Sequence, residues 1–180
     1  SAAGTAPLYG ADFVAERRAG ADGVQLAVRH NVAAAAGRPP LLLLHGFPQT
    51  HAIWHKVAPA LSGRYTLVMP DLRGYGDSDK PPGGARQIAY SKRAMAADCA
   101  ALMRGLGFTR YFVCGHDRGG RVAHRLALDA PDEVGKLMVL DISPTLTMYE
   151  RTTREFAEAY YHWFFLIQPE PLPETLIGAN

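Results

Sequence analysis

The sequence predicts an α/β chain on a mostly parallel, doubly wound sheet. Two observations carry this. Short continuous apolar runs alternate with amphipathic helical stretches along most of the chain, and the residues with chemical potential fall where those runs end. Phe13 to Arg18 and Val24 to His30 alternate apolar and polar residues, which predicts half-exposed strands near a sheet edge. Leu41 to Leu44 is continuously apolar, as expected of a strand buried on both faces. A helical stretch follows around Ile53 to Leu61. Tyr65 to Met69 is a second buried strand and leads into a Gly, Pro and Asp-rich loop from Leu72 to Gly84. Ser91 is placed to cap the next helix, whose apolar stripe is Met95, Cys99, Leu102, Met103 and Leu106. Tyr111 to Cys114 reads as a strand, and Val122, Ala123, Leu126 and Ala127 line one side of a helix running to Pro131. Lys136 to Leu140 is the next strand, ending at Asp141. After Pro144 the pattern changes. Tyr149 to Ile167 reads as one long aromatic helix, followed by a proline-rich tail from Pro169 to Pro173. The domain reading is a core over residues 1–143 and the start of a helical cap over 144–180.

Composition narrows the function classes. The chain has 180 residues, 48% of them hydrophobic, with a formal net charge of +2. That balance suits a globular core and gives no bulk electrostatic case for nucleic acid or an anionic membrane. No apolar run approaches the ~20 residues of a membrane span. Residues Ser1 to Pro7 lack the basic start and apolar core of a signal peptide. Cys99 and Cys114 lie in a helix and a strand, with no metal-ligand or disulfide spacing, which suits a reducing compartment; the expectation is a cytoplasmic protein.

Gly115-His116-Asp117-Arg118-Gly119 has the Gly-x-nucleophile-x-Gly spacing of a nucleophile elbow between a strand and a helix. The alternative for Asp117 is a cap on the helix that starts at Arg118. As a nucleophile, aspartate selects the chemistry. A carboxylate is ionised at neutral pH, its ordinary pKa being about 3.9. It attacks a saturated carbon bearing a leaving group, and water then opens the aspartyl ester. This favours dehalogenation or epoxide opening over serine-type ester cleavage.

Arg118 and Arg121 sit in the first turn of that helix, where cations oppose its dipole by ~0.3–1 kcal/mol each. An anionic substrate held between their guanidinium forks explains the placement; pairing with structural acids is the alternative. Arg125, further along, reads as structural. The loop His45-Gly46-Phe47-Pro48 is placed to give one oxyanion-hole amide at Phe47, the other coming from Arg118. His45 itself reads as a local hydrogen-bonding residue. Asp141 at its strand end, if buried, is placed to orient a catalytic histidine; capping a turn before Pro144 is the alternative. Asp71 and Arg73 are expected to form an ion pair that fixes the long loop. His162 and Trp163 lie in the aromatic segment. Phe156, Tyr160, Trp163, Phe164 and Ile167 share a helical face, so spacing alone favours packing, although an indole N–H is also a donor for a halide.

Five stretches together resemble the haloacetate dehalogenases of the fluoroacetate-cleaving kind, within the α/β-hydrolase fold. They are His45-Gly46-Phe47-Pro48-Gln49, Asp71-Leu72-Arg73-Gly74-Tyr75-Gly76, Gly115-His116-Asp117-Arg118-Gly119-Gly120-Arg121, Leu140-Asp141-Ile142 and Tyr161-His162-Trp163-Phe164-Phe165. The resemblance implies that Asp117 is the nucleophile and Asp141 the triad acid, that Arg118 and Arg121 hold the substrate carboxylate, and that His162 and Trp163 take the departing halide. It implies no metal or organic cofactor, a small-molecule haloacid substrate and homodimers. It also implies two further strands, a triad histidine after the last of them and a further halide-binding tyrosine. None of the seven histidines here follows such a strand. The expectation is an N-terminal part with its C-terminal strands missing, completed by a C-terminal fragment of the same parent protein. An epoxide hydrolase and a non-catalytic binding protein of the same fold are the competing readings.

Overall fold

The computed structural model describes residues 8–179. The absence of a signal peptide, read from residues 1–7, lies outside them. The chain forms two compact units, residues 1–142 and 143–180.

The first unit is built on six strands: β1 (Val14–Ala19), β2 (Gln25–His30), β3 (Pro40–Leu44), β4 (Thr66–Pro70), β5 (Tyr111–His116) and β6 (Val134–Leu140). Their spatial order is β1-β2-β4-β3-β5-β6. β1 pairs antiparallel with β2, and β2 with β4, while β4, β3, β5 and β6 run parallel. This is the mostly parallel α/β sheet that the alternation of elements predicts.

The apolar runs are continuous because both faces of the central strands are covered. Leu42, Leu44, Val68 and Val113 share a core with helix α2 (Lys92–Gly105) and helix α3 (Arg118–Asp129). The alternate residues Leu43, Leu67, Met69 and Cys114 pack with Trp54 and Ala58 on the other side. Trp54 belongs to a 3₁₀ turn at His51–Lys56, and Ala58 to helix α1 (Ala58–Ser62). Ser91 caps α2 by accepting the Ala94 N–H at 3.2 Å. β1 is an exposed edge, as its sequence suggests, but β2 is largely buried because it lies between β1 and β4.

β6 forms the opposite edge. Leu137, Met138, Val139 and Leu140 are all exposed, Met138 to 59%. Beside them an apolar groove is lined by Leu43, Trp54, Tyr65, Phe112 and Leu137. Among the described residues nothing pairs with the outer side of β6.

The second unit holds α4 (Thr145–Glu150), α5 (Arg154–Ala159), α6 (Tyr161–Leu166) and α7 (Leu172–Ile177). The single helix expected from Tyr149 to Ile167 is therefore broken twice. Thr153 takes an extended conformation and caps α5 by accepting the Phe156 N–H, while Thr152 donates back to the Met148 carbonyl. Hydroxyl side chains that bond the local backbone compete with a helix interior. Tyr160 leaves helical geometry at the second break and stacks on Phe156, ring centroids 4.7 Å apart. The proline-rich tail leads into α7, whose first turn tolerates Pro173.

Candidate active site

The elbow follows β5. Asp117 has φ 50° and ψ −123°, a left-handed conformation that non-glycine residues rarely adopt. Close packing around it explains the glycines. A Cβ on Gly119 would lie 2.2 Å from the His45 carbonyl oxygen, and one on Gly115 2.4 Å from the Gly119 carbonyl oxygen. The turn is tied to β6 by the Asp117 N–H, which donates to the Leu140 carbonyl at 3.1 Å.

Asp117 does not cap α3 with its side chain. Its Oδ1 instead accepts the Phe47 N–H at 2.9 Å. The capping alternative therefore fails on geometry: the carboxylate is turned across to the loop after β3. Gly46 makes this approach possible, since a Cβ there would sit 2.5 Å from Asp117 Oδ1. The Phe47 ring, 58% exposed, lies against the Arg118 guanidinium, with Cζ 4.9 Å from the ring centroid. Arg121 is buried one helical turn further on. The structure thus brings Phe47, Asp117, Arg118 and Arg121 to one end of the sheet.

Lys92 opens α2 and lies within electrostatic reach of Arg118, Arg121 and Asp117, a proximity that sequence reasoning missed. Burial, reinforced by the two guanidinium groups and opposed by Asp117, holds its ammonium down to about 8. Only the packing of α2 on α3 makes it a neighbour, and no motif around it signals that.

The loops that carry the site are fixed by buried polar contacts. His45 donates from Nδ1 to the Gly46 carbonyl at 2.9 Å and accepts the Leu72 N–H on Nε2 at 3.0 Å. Burial pushes its pKa below the ordinary imidazole value, in keeping with this neutral tautomer. Its role is therefore the local one read from sequence. The expected Asp71–Arg73 pair does not form. Asp71 accepts the His51 and Asp77 N–H groups at 2.7 and 3.0 Å. Arg73 instead grips Asp98 of α2 with two bonds, at 2.6 and 2.7 Å, and donates to the Ala89 carbonyl. The two side chains leave adjacent stretches of one loop in different directions, and Asp98 supplies the planar carboxylate that a guanidinium fork matches. Arg125 pairs with Asp129 on the outside of α3.

Asp141 follows β6 at φ 51°. It is not buried, as its triad reading supposed: its side chain is 94% exposed, because it ends an uncovered edge strand. Its nearest histidine contact is His116, Nε2 to Oδ2 at 4.0 Å. His162 and Trp163 lie in α6 of the second unit, with ring centroids 5.9 Å apart. His162 is exposed and Trp163 partly buried, and in the same unit Phe164 packs edge-on against Tyr149 and Phe156.

The chain is similar in sequence to known proteins. The chain is 55% identical to a fluoroacetate dehalogenase from Burkholderia sp over 150 residues, which cover 83% of this chain and 49% of the relative. It is 46% identical to a soluble epoxide hydrolase from Corynebacterium sp. (strain C12) over 117 residues, 65% of this chain and 39% of the relative. Among solved structures, an α/β-hydrolase candidate from Nostoc sp PCC 7120 superposes with a TM-score of 0.84 at 54% identity, covering 93% of this chain and 56% of that one. The chain thus spans about half the length of such relatives or less. Residues 39–179 match the family described by the alpha/beta hydrolase fold. With the parallel sheet, the elbow after β5 and the facing loop after β3 in place, this match makes the chain a member of the α/β-hydrolase family.

Proposed function

We propose that this chain carries the nucleophilic half of a hydrolytic dehalogenase acting on haloacetate-like 2-haloacids. One observation supports this above the others. An aspartate carboxylate occupies the elbow with one oxygen on the Phe47 amide, while Arg118 lies on the Phe47 ring and Arg121 is buried one helical turn further on.

Oδ1 rests on the Phe47 N–H, so Oδ2 is the oxygen available for attack. It displaces halide from the α-carbon: the O–C bond forms, and the halide leaves with the C–X electron pair. Arg118 and Arg121 hold the carboxylate of the acid. Oδ1 becomes the carbonyl oxygen of the ester. When water attacks Cγ, negative charge develops on that same oxygen, already at the Phe47 donor. We assign the second oxyanion donor to the Arg118 amide. A preorganised donor of this kind contributes about 3–4 kcal/mol to such a step. His162 and Trp163 are assigned to the halide, by resemblance. The water proton needs a base, assigned by resemblance to a histidine beyond residues 1–180 and oriented by Asp141. The segment carrying it would also add a strand at the β6 edge and cover its apolar side chains. Resemblance alone supports a homodimer of the completed unit, and two free buried thiols accord with the cytoplasm.

The test is halide release together with intact mass after addition of fluoroacetate or chloroacetate. An ester on Asp117 without turnover is expected from this chain alone, and turnover once the completing segment is present. The 46% identity to a soluble epoxide hydrolase supports a second reading, in which Asp117 opens an epoxide. Diol formed from an epoxide, with no halide from haloacetate, would replace the first reading with the second. Carboxylate binding with no ester of either kind would leave a binding protein.

A further inference from the structure

Tyr9 lies ahead of β1, outside every strand and helix, yet it is buried, with its ring packed beside Leu43, Trp54 and Met69. Its hydroxyl reaches 42 residues along the chain to His51. It donates to the His51 carbonyl at 2.6 Å and lies 2.7 Å from His51 Nδ1. A hydroxyl has one proton, so the ring contact is the Nδ1–H donating to the hydroxyl oxygen. Burial raises the phenol above its ordinary pKa and keeps that proton in place. One hydroxyl thus holds both the backbone and the side chain of His51.

His51 ends the loop that carries Phe47, and His45 begins it. Both ends are tied to the stretch that follows β4. His45 Nε2 accepts the Leu72 N–H at 3.0 Å, and the His51 N–H donates to Asp71 Oδ1 at 2.7 Å. Between these anchors the Gln49 N–H closes on the Gly46 carbonyl at 2.9 Å, and the Phe47 N–H donates to Asp117 Oδ1 at 2.9 Å. We propose that Tyr9 is a positioning residue for the oxyanion donor: it latches the His51 end of this loop and so keeps the Phe47 N–H on Asp117 Oδ1. This rests on the reading of that amide as an oxyanion donor.

The two chemical steps feel such a latch differently. In the first, Asp117 Oδ2 bonds to the α-carbon and halide leaves with its electron pair, so charge is lost from the carboxylate and the Phe47 donor is needed less. In the second, a water oxygen bonds to Cγ, its proton passes to the base, and the Cγ–Oδ1 π pair moves onto Oδ1. Collapse restores the carbonyl and expels the 2-hydroxy acid oxygen, which takes the proton back. Only this step builds charge opposite the Phe47 donor. Loosening the loop therefore slows hydrolysis and not ester formation.

The test is Tyr9→Phe, which keeps the ring and removes the hydroxyl. Amide hydrogen exchange is followed residue by residue on the protein with any polypeptide that co-purifies. Exchange at Phe47 and His51 should quicken about tenfold, with the β3 amides unchanged. In the completed enzyme, ester on Asp117 should accumulate during chloroacetate turnover, with hydrolysis about tenfold slower and ester formation no slower, both read by intact mass. Unchanged exchange at Phe47 overturns the proposal, as does equal acceleration through β3 or equal slowing of both steps, the marks of a merely structural tyrosine. His51→Leu, which keeps the carbonyl acceptor and removes the ring contact, should quicken Phe47 exchange to a smaller extent; it decides in the same way if Tyr9→Phe fails to fold. No ester from the wild-type protein, with the exchange effect confined to the loop, removes the dehalogenase reading and keeps the latch.

Discussion

Asp117 is held in a conformation that costs of the order of 1–3 kcal/mol, and the surrounding glycines and amides are arranged to keep it there. The benefit lies in the position of its carboxylate. Asp117→Asn retains the Oδ1 acceptor but removes the charge that the proposed attack requires. No ester should form on addition of chloroacetate, as read by intact mass, while the far-ultraviolet dichroism is unchanged. Arg121 makes a different contribution. Replacing it with Met removes a charge-assisted contact worth about 1.5–3 kcal/mol. The KM for haloacetate in the completed enzyme should rise about ten- to a hundredfold with little change in kcat; an unchanged KM would return Arg121 to a structural role. The elbow and the first helical turn after it were legible in the sequence because they are local: the seven consecutive residues Gly115 to Arg121 specify both. The proximity of Lys92 to the arginines was not legible, since only the packing of α2 on α3 brings it within their electrostatic reach. The exposure of Asp141 was hidden for a related reason, because burial at a strand end depends on what lies beyond that strand.

At the scale of elements, the strands and helices α2 and α3 followed from periodicity, and the two-faced burial of β3 and β4 from their unbroken apolar runs, whereas the aromatic stretch read as one helix is three short ones. The connections between elements were less legible. Arg73 and Asp98 are 25 residues apart and join the long loop to α2 through a buried two-bond pair. Asp98→Ala leaves an uncompensated buried guanidinium and should lower the unfolding free energy by about 3–5 kcal/mol, measured by urea denaturation. Asp71→Ala should leave the Arg73 pair intact. His45 joins the loop after β3 to the loop after β4, and it contributes a pH dependence. Its folded-state pKa lies below the ordinary 6.5 through burial, as does that of His51. The unfolded chain therefore binds these protons first. The associated stability is fully present above about pH 6.5 and is lost as pH falls towards the folded-state values. Urea midpoints should drop between pH 7 and 5, and His45→Asn should reduce the slope of that drop; an unchanged slope would assign the effect to other groups.

At the scale of the whole molecule, the two edges of the sheet differ in kind. β1 closes one side with Glu16, Arg17 and Arg18, charges of the sort that discourage strand addition. β6 closes the other with Leu137, Met138, Val139 and Leu140, an exposed apolar run with an apolar groove beside it. Such an edge is a template for a further strand. If a segment of the same parent protein is its occupant, the chain alone should self-associate, and addition of that segment should return it to a defined species by light scattering. Met138→Lys is the discriminating variant. Met138 is 59% exposed on β6, so a lysine there costs little in this chain's own packing while placing a charge on the apolar edge. Self-association should fall, and so should capture of the completing segment, since both use the same surface. A variant that lost self-association yet still took up the segment and turned over haloacetate would place the completing contact elsewhere. A wild-type chain that stayed monomeric and melted cooperatively on its own would remove the need for that contact altogether.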